Sequence, residues 1–167
     1  MGFTLIELLI VIALLGALAV GMLAAIDPLE QFKKGNDTTI RNTVEELYNS
    51  MIRYYAIKTE FPWETLGSGA TFVSAVQATD ALVTDSIDLV VGAGELKTDF
   101  IELATMSRLN NIWVDAPVDD SLVVCFQPTS KSFQADPNTK YTSAGSAYTT
   151  ECTSQIGGSE LCFWCLK

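Results

Sequence analysis

Four cysteines carry the widest range of possible chemistry in this sequence, and all of them lie in its last 43 residues. They are Cys125, Cys152, Cys162 and Cys165. An even number of cysteines beyond a long apolar segment indicates disulfides formed in an oxidising compartment. The Cys162-Phe163-Trp164-Cys165 spacing also permits a redox dithiol or half of a zinc site. Disulfides are favoured, while metal binding and redox chemistry remain open alternatives.

Each alternative requires a particular arrangement of elements or ligands in the rest of the chain. A redox Cys-x-x-Cys pair usually opens a helix after a strand, whereas this one closes the sequence. A zinc site would need Cys125 and Cys152 as further ligands, because the sequence has no histidine. For disulfides we predict the pairs Cys152–Cys162 and Cys125–Cys165, which would join predicted strands and close the intervening loop.

A single carboxylate, Glu7, lies in an otherwise apolar stretch near the amino terminus. From Phe3 to Ile26 the chain has 24 residues without lysine or arginine, and only Thr4 and Glu7 are distinctly polar. As a helix this stretch would be about 36 Å long, enough to cross about 30 Å of bilayer hydrocarbon. A carboxylate in a membrane segment is costly, so it either marks a function or lies near enough to the end to reach the interface.

The order Gly2-Phe3-Thr4-Leu5-Ile6-Glu7, followed by an apolar run, closely resembles the start of type IV pilins and type II secretion pseudopilins. In that family a prepilin peptidase cuts after the glycine and the new terminal residue is N-methylated. The glutamate is implicated in filament assembly. The resemblance therefore implies cleavage between Gly2 and Phe3, methylation of Phe3 and an assembly role for Glu7. It covers the amino-terminal segment, and the remaining chain matches in general layout.

The resemblance also implies partners and a location. The precursor would cross the inner membrane once, be cut by prepilin peptidase, and enter an extracellular filament of many copies of itself through the pilus assembly machinery. Residues 1–2 would be the remainder of a leader and residues 3–26 the membrane and filament-core helix. Residues 27–58 would form an amphipathic spine helix, and residues 59–167 a globular head with a cysteine-rich end. No cofactor is implied.

The spine helix is also predicted from the sequence itself. Asp27 as N-cap and Pro28 at the first helical position favour a new helix, whereas the resemblance favours one long bent helix, which we expect. Apolar residues then recur at steps of four and three, which is the period of a helix with one buried face. They are Ile40, Val44, Leu47, Met51 and Tyr54. This helix should end before Phe61-Pro62.

The head is predicted to contain helices followed by a sheet. Helical patterns cover Phe72 to Val83 and Glu95 to Met106, and Ile87 to Val91 fits either a short strand or a last helical turn. β-rich runs predict one hairpin from Ile112–Val114 and Leu122–Phe126, a second from Ser132–Gln134 and Lys140–Thr142, and a final strand within Leu161–Leu166. We expect an α+β fold in which a three- or four-stranded antiparallel sheet packs on the apolar face of the spine helix.

Charge and motifs narrow the function. The net charge of −10 disfavours a nucleic-acid site. Without histidine, a GxSxG motif or a phosphate loop, the sequence predicts no enzyme and no catalytic residue. No metal site is predicted either, because the one dense acidic group, Asp115, Asp119 and Asp120, reads as a solvated turn.

The expected function is a structural subunit of a type IV pilus-like filament. The alternatives are a pseudopilin of a type II secretion system and a membrane-anchored exocytoplasmic protein that never polymerises. The last of these would use the Cys162–Cys165 pair as a redox or metal site.

Overall fold

The structure, a computed structural model, describes residues 2–25, 27–67, 69, 72, 74–117, 121–147 and 162–167, with the backbone alone for residues 23–25. Within these residues the chain is an α+β protein with an apolar first helix, a long second helix and a small antiparallel sheet. The helices are α1 Leu5–Ala25, α2 Pro28–Lys58, α3 Pro62–Thr65, α4 Ala81–Gly92, α5 Phe100–Ala104, α6 Met106–Leu109 and α7 Lys131–Gln134. The strands are β1 Val76–Gln77, β2 Ile112–Asp115, β3 Val123–Phe126, β4 Thr139–Tyr141 and β5 Phe163–Leu166.

The helical backbone is interrupted between α1 and α2. Asp27 is extended, with φ −84° and ψ 95°, and its carboxylate accepts a hydrogen bond of 3.3 Å from the backbone N–H of Glu30. Pro28 has no backbone N–H, and its ring crowds the turn before it. The expectation of one continuous bent helix is therefore wrong at this point, and the helix start predicted from Asp27 and Pro28 is present.

Helix α2 is the centre of the head, and its predicted buried face is confirmed. Val44, Leu47 and Met51 have no exposed surface, and Ile40 and Tyr54 are almost fully buried. The helix ends at Lys58, before Phe61-Pro62 as predicted, with Thr59 in the left-handed conformation as its C-cap. This face packs mainly against β3 and also contacts β5, α3 and α4.

The sheet has five strands in the order β1-β2-β3-β5-β4, and every neighbouring pair is antiparallel. Because side chains alternate along a strand, Val124 and Phe126 face the core under α2, whereas Val123 and Cys125 belong to a smaller cluster on the other face. The predicted β2–β3 pairing and the final strand are confirmed. The sheet has one or two strands more than expected.

The predicted helix from Phe72 to Val83 is wrong. Val76 and Gln77 form the edge strand β1, and α4 begins only at Ala81. The start is fixed there because the Asp80 carboxylate caps the backbone N–H of Leu82 at 3.0 Å. Of the two alternatives for Ile87 to Val91, the helical one is confirmed, since the segment lies within α4.

The second predicted hairpin is also wrong. Residues 131–134 form the single turn α7, because Ser130 accepts a hydrogen bond from the backbone N–H of Phe133 and so starts a helical turn. Strand β4 pairs with β5 instead, through Thr139–Trp164 and Tyr141–Phe163. The predicted loop from Gly145 to Gly158 lies largely outside the described residues.

Candidate functional site

Helix α1 is apolar on all sides, and from Leu5 to Met22 it packs against none of the residues that the structure describes. Every residue of the span Leu5–Met22 is exposed, and this span is long and apolar enough to cross a membrane. Its large apolar side chains are exposed by between 49% at Val11 and 82% at Leu5. An amphipathic surface helix would bury one face against the core. Helix α1 therefore needs cover from lipid or from another protein.

Thr4 and Glu7 form a reciprocal cap at the start of this helix. The backbone N–H and the hydroxyl of Thr4 both donate to Oε2 of Glu7, at 2.8 and 2.7 Å, and the backbone N–H of Glu7 lies 3.3 Å from Thr4 Oγ1. The Thr4 carbonyl accepts the first helical hydrogen bond, from Leu8. This is the capping box, in which an N-cap hydroxyl and the carboxylate three residues later satisfy each other's backbone donors.

The capping box can be recognised in the sequence as Thr-Leu-Ile-Glu before an apolar run, although no role was predicted for Thr4. It gives Glu7 a local structural role in addition to the one implied by the resemblance. The carboxylate is held at the amino-terminal end of the helix, where it complements the helix dipole.

The predicted cleavage position, Gly2-Phe3, lies just before this cap. Gly2, Phe3 and Thr4 precede the first helical residue, and the side chain of Phe3 is 90% exposed. No heavy atom lies within 4 Å of where a side chain at Gly2 would begin. The peptide bond between Gly2 and Phe3 is thus outside the helix and sterically open to an enzyme.

The cysteines are disulfide-bonded where the structure describes them. Cys125 and Cys165 are bridged as predicted, directly opposite each other on β3 and β5. Cys162 is disulfide-bonded as well. Cys162 and Cys165 are therefore not paired with each other, and neither offers a free thiol. The other half of the prediction concerns Cys152, which lies outside the described residues.

Among the described residues of the head, two carboxylates are buried, and the sequence indicated neither environment. Asp115 is 4% exposed, and its Oδ1 accepts a 2.9 Å hydrogen bond from the backbone N–H of Ala116. Burial raises the pKa of Asp115 above its ordinary value, against this hydrogen bond, which lowers it. The expected solvated acidic turn is thus wrong for Asp115, and Asp119 and Asp120 lie outside the described residues.

The other buried carboxylate, Asp37 on α2, holds the head onto the helix. It has no exposed surface and accepts hydrogen bonds from the backbone N–H and hydroxyl of Thr129 and the backbone N–H of Ser130, at 2.7–3.1 Å. About two helical turns nearer the start of α2, Glu30 accepts a hydrogen bond from the backbone N–H of Lys131. These contacts fix the connection between β3 and α7 against the amino-terminal half of α2.

In the part of the chain that the structure describes, fold and geometry define an α+β protein with one candidate membrane helix. This helix is capped at its start by Thr4 and Glu7 and is followed by a disulfide-bonded head. No family model, curated protein or solved structure matches this chain. The resemblance to pilins therefore rests on the amino-terminal motif.

Proposed function

We propose that this protein is a structural subunit of a type IV pilus-like filament, assembled through α1 after cleavage between Gly2 and Phe3. The observation that carries the proposal is the unburied apolar surface of α1, which begins at Leu5, within the Gly-Phe-Thr-Leu-Ile-Glu motif. A helix of this kind is held by lipid in the precursor. In a filament, the same surface is covered by the α1 helices of neighbouring copies.

The division of the molecule into two parts favours this assembly. The head has its own core of more than twenty buried residues, so it does not need α1 in order to fold. Because lipid already covers α1 in the precursor, a bundle of α1 helices would be stabilised by dispersion contacts between closely packed side chains rather than by removal of apolar surface from water. The acidic heads would remain outside the bundle, where their charge favours contact with water.

The test uses the full chain with a leader that prepilin peptidase accepts, in cells that contain this peptidase and a pilus assembly ATPase. We expect mass spectrometry to find N-methyl-Phe3 as the first residue of the mature chain. Filaments sheared from the cell surface should contain this mature form. Cleaved protein that remains in the membrane under all conditions would instead identify an anchored protein that does not polymerise.

A matched pair of glycine substitutions separates processing from general damage. Gly2→Asn should block cleavage and filament formation, because the peptidase must accommodate the residue before the cut. Gly92→Asn is the control, since Gly92 is likewise exposed with open space around it but lies at the end of α4. Normal filaments from uncleaved Gly2→Asn protein would overturn the proposal.

A further inference from the structure

The buried face of α2 continues below the head as an uncovered apolar surface. Leu29 precedes Leu47 by 18 residues, and Phe32 precedes Ser50 by the same number, which is about five turns of helix. Leu29 and Phe32 therefore point in the same directions as two residues that have no exposed surface. Yet Leu29 is 70% exposed and Phe32 is 77% exposed, because the head contacts these turns on the side of Glu30 and leaves this face uncovered.

Two lysines follow this apolar pair. Lys33 and Lys34 are exposed, and neither forms an ion pair with any residue that the structure describes. They are the first basic residues of the chain. Residues 42–167 contain sixteen carboxylates and seven basic side chains, a net charge of −9. The carboxylates three or four residues away on the same helix, Glu30 and Asp37, already accept hydrogen bonds from the backbone of Lys131 and Ser130. The head of another copy therefore offers these lysines a further source of opposite charge.

The position of this segment is fixed relative to the head. Glu30 lies at the edge of the same helical turns and binds the backbone of Lys131, and Asp37 binds Thr129 and Ser130. The uncovered surface thus has a fixed position at the base of the folded head. It also follows α1 directly, so any neighbour that covers α1 comes within reach of it.

We propose that Leu29, Phe32, Lys33 and Lys34, here called the junction surface, dock on a second copy of this chain. Leu29 and Phe32 continue the apolar contact made by α1, and the two lysines face the acidic head of the neighbour. The inference rests on the proposed assembly through α1 and extends it to a segment that carries charge. It assigns to this segment a part in setting the register between copies.

Photo-crosslinking tests the identity of the occupant directly. A benzoylphenylalanine at position 32 of the full chain, irradiated in membranes and in sheared filaments, should give adducts of twice the 18.1 kDa chain mass. Peptide mapping should place the second end on the head of another copy. The same probe at exposed Ile57, at the other end of α2, is the control and should give few such adducts.

Paired substitutions then test the two kinds of contact. Leu29→Ser with Phe32→Ser should lower filament yield roughly tenfold or more, because burial of two large apolar side chains exceeds the free energy of a tenfold change in association. The control replaces the exposed residues Ile57 and Leu103 by serine. Lys33→Gln with Lys34→Gln should also weaken assembly, more than Lys58→Gln with Lys97→Gln, which removes the same charge elsewhere.

The outcomes separate this inference from the proposed function. Chain-to-chain adducts in membranes without filaments would support the junction surface and overturn the filament proposal. Adducts to lipid alone, or to a different protein, would overturn the junction surface even if filaments form. Wild-type filament yield from the Leu29 and Phe32 variant, with unchanged processing at Phe3, would overturn it as well.

Discussion

Asp37 and Asp115 are both buried carboxylates, but their surroundings differ. Asp37 accepts hydrogen bonds from three donors, so its charge is solvated by the protein in place of water. Asp115 accepts from the backbone N–H of Ala116, and burial dominates its energetics. The two residues therefore lead to opposite predictions for stability.

Removal of the Asp37 carboxylate should destabilise the head strongly. In Asp37→Ala, the backbone N–H groups of Thr129 and Ser130 lose their acceptor inside the protein, and each buried unpaired donor costs about 1–3 kcal/mol. We expect a loss of about 2–4 kcal/mol in the free energy of unfolding. Urea denaturation of the detergent-solubilised protein, followed by tryptophan fluorescence, measures it. Asp88→Ala, at an exposed site on α4, should change stability by less than about 0.5 kcal/mol.

Neutralisation of Asp115 should have the opposite sign at neutral pH. Because burial raises its pKa in the folded state, the folded protein binds a proton more readily than the unfolded chain. The resulting stability is complete below the unfolded value near 3.8 and is lost as pH rises through the higher folded pKa. Asp115→Asn keeps an acceptor for Ala116, so it should raise stability at pH 7 and flatten the profile in this acidic window. An unchanged profile would contradict the assignment.

Whether the contacts of a residue could be predicted depended mainly on how far away its partner lies in the sequence. Glu7 and Thr4 are three residues apart, so their capping box can be found in the sequence. Asp37 binds backbone groups 92 and 93 residues away. Because every residue except proline has a backbone N–H, the sequence does not show which one will bind a carboxylate. The Cys125–Cys165 disulfide was predictable although its partners are far apart in the sequence. Both strands could be recognised, and four cysteines allow only three sets of pairs.

At the scale of elements, α5 and α6 meet at an unusual residue. Thr105 has φ 60° and ψ 139°, a conformation in which a β-branched side chain is strained. Thr105→Gly should therefore stabilise the protein by about 1 kcal/mol, the relief of strain less the entropy that glycine adds to the unfolded chain. Thermal unfolding measures the change. Thr105→Ala is the control, because alanine keeps the Cβ atom. An equal gain from alanine would assign the effect to loss of the side chain instead.

Elements in which the helical period repeats over several turns were predictable, and single turns were not. Helix α2 presents its buried face over four turns, from Ile40 to Tyr54, so the period outweighs local exceptions. Residues 131–134 form one turn set by the cap at Ser130, and such a short apolar pattern fits a strand equally well. Strand β1 has only two residues and exists because β2 offers it an edge, which local sequence does not encode.

The whole molecule joins two parts that need different surroundings. The head buries its own core, whereas α1 buries none of its candidate span. This contrast was predicted from the sequence, because a run of about twenty apolar residues with no polar face can be recognised directly. The break in the helix at Asp27, between these two parts, was not expected.

Glu7 connects the two steps of the proposed function, which are cleavage at Gly2-Phe3 and assembly of the filament. Cleavage at Gly2-Phe3 would leave a positive amine on Phe3, four residues from the carboxylate. The amine of the same chain or of a neighbouring copy could then pair with Glu7, and only the second pairing rewards docking in one register. An unpaired buried charge costs several kcal/mol, which would make a misplaced subunit unfavourable.

The capping box makes it possible to separate this charge from its local role. Glu7→Gln keeps an oxygen that accepts from the Thr4 backbone but removes the charge, and Thr4→Ala keeps the charge but removes the hydroxyl, at a cost of about 1 kcal/mol in helix stability. If the charge sets the register, Glu7→Gln should abolish filaments while cleavage and membrane insertion continue, and Thr4→Ala should still assemble. Quantification of sheared filaments and of N-methyl-Phe3 in the membrane measures both steps. Assembly by Glu7→Gln together with failure of Thr4→Ala would show that Glu7 serves the helix cap alone.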